Sequence, residues 1–319
     1  MNGELINRLI CGDNLEELKN IPKESVDLIY IDPPFFTHRR YEVVGGDGAE
    51  AMGFKDRWEG GIEHFIGWLQ PRVELMWEVL KPTGSFYLHC DWHANAYIRI
   101  MLDGIFGAKN FRNEIIWCYN VGGKSKSQWA RKHDTIYFYT KSRTWRFDGK
   151  AVGFKRETGE KSFGGIIGID KNGRRYQDKL VKATGKYYRY YLDEPKIPED
   201  WWIDINSIQS QSAERLGYPT QKPEALLERI IKASSKEGDA ILDAFCGSGT
   251  ACVVAHKLKR NWTGIDISST AIKAAERRLT VIGAVKDENY VMEPARLRCG
   301  LKDLSLSSDY HRDMGDLIL

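Results

Sequence analysis

The chain has 319 residues, 42% apolar and 29% charged, with a net charge of +3; that suffices for one large α/β domain with an insertion, or two modest domains. No apolar run approaches the roughly 20 residues that span a bilayer, which argues against a membrane-spanning helix. The segment Met1-Asn2-Gly3-Glu4 has neither a basic leader nor an apolar stretch, so the expectation is a cytosolic protein without a secretion signal.

In chain order, an apolar segment from Ile6 to Cys11 and a polar helix from Asn14 to Asn20 precede a buried strand, Val26 to Ile31. A Gly-rich, charged loop follows from Thr37 to Gly61, whose glycines suit it either to close over a ligand or to form a plain surface loop. Apolar residues at helical spacing predict a helix over Ile62 to Leu80, stopped by Lys81-Pro82-Thr83-Gly84, then a strand over Ser85 to His89. A helix is expected from Ala94 to Phe106, with strands at Ile115 to Trp117 and Thr135 to Tyr139. Between Lys141 and Asn206 no period is sustained, which predicts an inserted segment of short strands and loops. The alternation resumes with a helix from Glu224 to Ser234, a strand from Ala240 to Asp243, a helix from Thr250 to Leu258, a strand from Trp262 to Asp266 and a helix from Ser269 to Ile282. From Ala284 onward the chain is polar and irregular. Alternating strands and helices specify the α/β class.

The six cysteines, Cys11, Cys90, Cys118, Cys246, Cys252 and Cys299, form no C-x-x-C pair, a pattern of reduced thiols rather than of disulfides or a zinc ribbon. The cluster His89-Cys90-Asp91-Trp92-His93 ends an apolar run and lacks a second ligand pair at metal spacing, so no metal site is expected. Charge is unevenly placed: from Asn120 to Tyr190 there are 18 lysines and arginines against 6 acidic residues. This block is interleaved with Trp129, Trp145, Tyr176, Tyr187, Tyr188, Tyr190 and Tyr191, a combination that suits a phosphate backbone and stacked bases.

Two segments carry chemistry. Asp243-Ala244-Phe245-Cys246-Gly247-Ser248-Gly249-Thr250 follows a strand and opens a helix, the setting in which backbone N–H groups meet a nucleotide-like cofactor. It is not a Walker loop, since no Lys follows the second glycine, and Cys252 stands where a dinucleotide fold has its third glycine. Asp266, at the end of the next strand, is placed to grip a ribose diol. The second segment, Asp32-Pro33-Pro34-Phe35, ends the strand over Val26 to Ile31. An exocyclic base amine is a poor nucleophile until two acceptors hold its hydrogens and let it pyramidalise. The Asp32 carboxylate and the Pro33 carbonyl suit that need, the prolines stiffen the turn, and Phe35 offers a face to a base swung out of its helix.

With Cys11-Gly12-Asp13-Asn14 and Tyr218-Pro219-Thr220-Gln221-Lys222-Pro223, these segments resemble, over about Leu9 to Ile282, the amino-methyltransferase family of DNA N6-adenine and N4-cytosine enzymes in its circularly permuted β arrangement. The resemblance implies a Rossmann-like fold dependent on S-adenosylmethionine: a mostly parallel seven-stranded sheet with helices on both faces and an inserted target-recognition region. It divides the chain into a catalytic half (1–140), the insertion (141–206), a cofactor-binding half (207–283) and a tail (284–319). It assigns Asp32, Pro33, Pro34 and Phe35 to catalysis. It places Cys11, Asp13 and Asn14 near the cofactor's adenine, with Asp13 accepting from the amine. Asp266 and Ile267 fall at the ribose. Asp32, Thr220, Gln221, Lys222, Asp243, Phe245, Cys246, Gly247, Ser248, Gly249 and Thr250 surround the rest of the cofactor. Relatives usually have Pro where Ala244 stands, so a looser turn is expected there.

Asp rather than Ser at position 32 favours adenine. N4-cytosine, RNA and a non-catalytic DNA-binding protein are the alternatives, whereas a covalent C5-cytosine route is excluded because no cysteine follows a proline. The implied partner is double-stranded DNA, with a homodimer and a cognate restriction endonuclease left open, and the implied place is the cytoplasm, at the nucleoid.

Overall fold

The structure is a computed structural model that describes residues 7–37, 40–41, 54–55, 58–120, 125–155, 166–209, 211–212, 214–216, 218, 220–286 and 291–293. Strand β1 (Arg8–Cys11) leads into the short helix α1 (Asn14–Glu17), whose N-cap Asp13 accepts from the Leu15 N–H at 3.0 Å. Strand β2 (Val26–Ile31) follows, then two short paired strands, β3 (Arg40–Tyr41) and β4 (Phe54–Lys55). Most of the expected closing loop, Thr37 to Gly61, lies outside the described residues, as does most of the tail.

Helix α2 (Gly61–Val79) runs straight into β5 (Leu80–Cys90). The helix ends where Lys81-Pro82-Thr83-Gly84 led one to expect, but the segment is not a loop: the strand begins at Leu80 rather than Ser85, and the physical reason is local. Leu80 is fully buried opposite Val26, and Lys81 Nζ donates to Asp27 Oδ2 at 2.7 Å, which holds the segment against β2. Pro82 falls in the register shift between Val26 and Leu28, where no ladder hydrogen bond is required of it. Helix α3 (Asn95–Leu102), β6 (Phe111–Cys118) and β7 (His133–Thr140) come next.

The insertion forms a separate antiparallel sheet of β8 (Ile166–Ile169), β9 (Arg175–Val181) and β10 (Lys186–Tyr191). It returns through β11 (Trp201–Trp202). Then come α4 (Glu224–Ser234), β12 (Ala240–Asp243), α5 (Thr250–Lys257), β13 (Asn261–Asp266), α6 (Ser269–Val281) and β14 (Val291–Glu293).

The main sheet has the order β11-β6-β7-β5-β2-β12-β13-β1-β14, with β7 alone antiparallel to its neighbours among the described strands. It thus has nine described strands where seven were expected. The two extra strands are short edges. At one edge Trp202 is buried beside Trp117, whose indole N–H donates to the Ile205 carbonyl at 2.7 Å; at the other, part of the supposedly irregular tail pairs with β1.

Alternate residues of β2 feed opposite layers. Leu28 and Tyr30 join the core under α4, α5 and α6, while Ile29 and Ile31 join the core under α2 and α3. On α2 the buried stripe Phe65, Leu69, Val73, Met76 and Val79 has the spacing of one helical face. No helix among the described residues is long and apolar enough to cross a membrane.

The chain leaves β2 toward β5 on one side and β12 toward β13 on the other. Adjacent parallel strands whose connections diverge leave a crevice beyond their carboxyl ends. Asp32 follows β2 there, and the glycine turn follows β12.

Candidate active site

That crevice is a cleft of about 240 Å³. Its walls include Asp32, Pro33, Pro34 and Phe35 after β2, Asp13 and Asn14 after β1, and Thr220, Gln221 and Lys222 before α4. Asp243, Phe245, Cys246, Gly247, Ser248 and Thr250 line it after β12, with Asp266 and Ile267 after β13. Segments far apart in the chain are brought together because four of them sit at the carboxyl ends of the neighbouring strands β2, β12, β13 and β1, while Thr220 to Lys222 enter just before α4. Two expected residues are not in the lining. Cys11 packs against the core at the end of β1. Gly249 has φ +73°, and a Cβ there would come within 2.7 Å of Ala275 Cβ, so its absence of side chain serves the approach of α5 to α6.

The glycine turn is firmly tied. Cys246 N–H donates to the Ile265 carbonyl at 3.0 Å, Gly249 N–H to the Cys246 carbonyl at 2.7 Å, and Asn14 Nδ2 to the Ala244 carbonyl at 2.7 Å. Ala244 is fully buried. The looseness expected from alanine in place of proline is therefore compensated by a side chain from α1. Arg278 fastens the start of α5, donating to the Ser248 carbonyl at 3.1 Å, to Thr250 Oγ1 at 2.8 Å and to Glu224 Oε1 at 3.1 Å.

Asp266 accepts from Gly247 N–H through Oδ2 and from Ser268 N–H through Oδ1, each at 2.8 Å. Each oxygen keeps a lone pair, the acceptor pattern a vicinal diol requires. Asp13 is engaged by Arg72 Nη2, at 3.0 Å from Oδ1. Arg72 also donates from Nε to Asn14 Oδ1 at 2.8 Å and from Nη1 to the Trp68 carbonyl at 2.7 Å.

Burial pushes the carboxyls of Asp243 and Asp266 up from their ordinary values, and for Asp243 the nearby charges of Asp32 and Asp266 add to the effect. Four acids line the cleft, Asp13, Asp32, Asp243 and Asp266, against two cations, Arg72 and Lys222, a balance that favours a ligand carrying positive charge. A sulfonium cofactor with an adenosine end meets that electrostatic demand, the diol acceptors of Asp266 and the open backbone at Gly247 (φ +49°) together.

On the β2 side, Lys222 Nζ donates to Asp32 Oδ2 at 2.5 Å, while Asp32 Oδ1 is buried without a hydrogen-bond partner among the described residues. Behind Phe35 lies a buried polar chain. Phe35 packs on His89 with ring centroids 5.7 Å apart. His89 Nδ1 lies 3.0 Å from the Tyr30 hydroxyl and Nε2 lies 3.1 Å from Asp134 Oδ2. The Tyr119 hydroxyl donates to Asp134 Oδ1 at 3.0 Å. Burial alone would raise the Asp134 carboxyl. The hydrogen bond and charge of His89, with Lys222 and Tyr119, outweigh it and hold the group below its ordinary value. Burial, with Asp32 and Asp243, pushes Tyr30 well up, so its hydroxyl stays protonated. His93 is engaged by Asp91.

Tyr30, Trp68, Arg72, Tyr218, Leu227 and Ser268 also line the cleft and had no assigned role. For Arg72 a signal was present: it is a cation on the otherwise apolar stripe of α2.

A family model described as DNA methylase, covering N6 and N4 enzymes, matches residues 26–277. The chain is 31% identical over 308 residues to the DNA adenine methyltransferase YhdJ of Escherichia coli K12, covering 96% of this chain and 94% of the relative. It is 32% identical over 274 residues to the type II methyltransferase M.HpaI of Haemophilus parainfluenzae, covering 85% and 74%. Among solved structures, the cytosine-N4-specific PvuII DNA methyltransferase superposes with a TM-score of 0.57 at 18% identity, covering 85% of this chain and 86% of that one. A putative DNA modification methylase of Thermus thermophilus, complexed with S-adenosyl-L-methionine, gives 0.54 at 18% identity, covering 90% and 98%.

Proposed function

The chain belongs to the DNA methylase family of N6 and N4 amino-methyltransferases, and on that premise we propose that it methylates the N6 amine of adenine within a short DNA sequence. The observation that carries the reading is the unpartnered, buried Asp32 Oδ1 in the same cleft as the glycine turn. An orphaned carboxylate oxygen is costly unless a donor arrives. A base amine is such a donor.

Phe245, Cys246 and Gly247 would flank the methionine part of S-adenosylmethionine, Asp266 the ribose, and Asp13 with Asn14 the adenine. When bound, the cofactor supplies an electrophilic methyl group on sulfur. The residues of the chain do the rest by positioning and charge. Phe35 stacks on the extruded base. Asp32 Oδ1 accepts one hydrogen of the amine and the Pro33 carbonyl accepts the other, so the nitrogen pyramidalises and its lone pair is aimed at the methyl. Once it had gained a methyl group the amine nitrogen would carry positive charge and a surplus proton. Asp32 stabilises that ammonium, takes its surplus proton and passes it to solvent.

Adenine is favoured by Asp32 and by the likeness to an adenine methyltransferase over nearly the whole of both chains. The cytosine-N4-specific relative shares the fold only. The basic block and the sheet β8–β10 serve as the target-recognition region, with Lys and Arg on phosphates and base edges. The test is incubation with labelled S-adenosylmethionine and unmethylated genomic DNA, digestion to nucleosides, mass spectrometry of the labelled base and mapping of the modified sites. Label on N6-methyladenine is expected. Label on N4-methylcytosine keeps the mechanism and overturns the choice of base; no label in DNA overturns the reading.

A further inference from the structure

Lys222 lies in the segment that the family resemblance gives to the cofactor, yet its ammonium sits on the acid of the other half-site. Nζ is 2.5 Å from Asp32 Oδ2, with the two side chains only 13% and 16% exposed. The same ammonium lies 4.9 Å from the centroid of Phe35, the ring offered to the base. The second carboxylate oxygen, Oδ1, is buried and has no partner among the described residues. The two oxygens of Asp32 are thus unequal, one held by a cation and the other left for a donor that has not yet arrived.

The terminal torsion of an aspartate is soft and roughly two-fold, so an unrestrained carboxylate samples orientations in which neither oxygen points at the amine. A charge-assisted hydrogen bond to one oxygen removes that freedom. Stability is a poor reason for the pair, because the desolvation of two buried charges commonly cancels their attraction. Orientation is a better one, since a catalytic group displaced by about 1 Å forfeits about a hundredfold in rate.

We propose that Lys222 is a positioning residue for methyl transfer: by holding Asp32 Oδ2 it keeps Oδ1 directed at the target amine while the base stacks on Phe35. The proposal rests on the reading of Asp32 as the acceptor for that amine. It separates Lys222 from the cofactor role that its neighbours Thr220 and Gln221 are given.

The test compares Lys222→Met and Lys222→Arg with the wild type in three measurements. These are affinity for S-adenosylhomocysteine by calorimetry, 2-aminopurine fluorescence at the target position of a duplex carrying the mapped site, and kcat and KM on the unmodified duplex. For Lys222→Met, cofactor-product affinity and KM within about threefold of wild type and undiminished fluorescence are expected, with kcat lower by about a hundredfold. Lys222→Arg, which keeps a cation for Oδ2, is expected to recover about a tenth of the wild-type kcat. Loss of S-adenosylhomocysteine affinity by about tenfold or more would assign the ammonium to the cofactor and overturn the proposal, as would a normal kcat in Lys222→Met. If Lys222→Met does not fold, Lys222→Gln, which also lacks the charge, takes its place in the same measurements. Reduced kcat with intact product affinity sustains the role, and intact kcat or weakened product affinity removes it. A wild type that labels no DNA base brings down the underlying reading instead, and that control tells the two failures apart.

Discussion

The crevice between β2 and β12 and the small sheet β8–β10 are built from the same kinds of side chain and treat them in opposite ways. In the crevice, acids, cations and aromatic rings are wholly or partly buried and tied to one another across the chain. Asn14 reaches Ala244, Arg72 reaches Asp13, and Lys222 reaches Asp32. In the small sheet they lie at the surface and pair within the hairpin. Arg189 bridges both oxygens of Asp178 at 2.8 Å and stacks on Tyr176, while Tyr187, Tyr188 and Tyr190 are exposed. Chemistry on one atom needs fixed geometry, whereas exposed pairs of this kind contribute little to stability and can be exchanged for contacts to a polyanion. The difference is one between a site organised in advance and a surface that waits for its partner.

The sharpest way to break this contrast is Asp32→Ala. Methyl transfer is expected to fall by about a thousandfold or more in single-turnover assays, with S-adenosylhomocysteine still bound. Appreciable turnover would show that the crevice's organisation serves some other acid. Arg72→Met comes next in size. It removes the donor that Asp13 and Asn14 share, and it is expected to cost about 2 kcal/mol in urea unfolding and to weaken cofactor binding in step. Unaltered stability would mean that the β1 side of the crevice holds itself together.

Much of the crevice was legible because its residues follow strands in short, distinctive runs. Asp32 to Phe35 and Asp243 to Thr250 needed only a strand before them to be placed at one edge. Arg72 and the chain Tyr30–His89–Asp134–Tyr119 were not legible as a site, since their partners lie 15 to 59 residues away and only the sheet order brings them together. His89 illustrates the loss: beside Cys90, Asp91 and His93 it reads as part of a strand end and loop, but alternation along β5 turns it into the core. The two edge strands were missed because two or three residues carry no period. The strand start at Leu80 was missed because Pro-Thr-Gly reads as a stop unless the bulge opposite Val26 is known.

On the small sheet the effects are smaller. Lys179 and Lys186 share a face with Tyr188 and Tyr190 in the register of β9 and β10. Replacing both lysines by alanine is expected to lower DNA affinity and to flatten its dependence on log salt by about 1 per lysine. Cofactor binding should be untouched. An unchanged salt slope would move the DNA surface off this face.

The smallest effect separates the regions by pH. The carboxyl of Asp134 is held below its ordinary value, so its ionised form stabilises the fold above the unfolded-state value, and that stabilisation is lost as pH falls through the folded-state value. Asp134→Asn keeps one acceptor, for the Tyr119 hydroxyl, turns the other oxygen into an N–H donor facing His89 Nε2, and removes the charge. The variant is therefore expected to be less stable than the wild type near neutrality, and the gap should close below about pH 4, where the wild-type carboxyl protonates in the unfolded chain. The acids of the small sheet, Asp178 and Asp193, are also held low by arginines. Lying at the surface of the hairpin and paired only with solvent-facing arginines, they are screened, and Asp178→Asn should leave the acid unfolding curve where it is. Unfolding by urea at a series of pH values checks both. A gap that persists undiminished into acid would mean that Asp134 acts through packing rather than charge. A shift with Asp178→Asn would show that the small sheet is as tightly organised as the crevice.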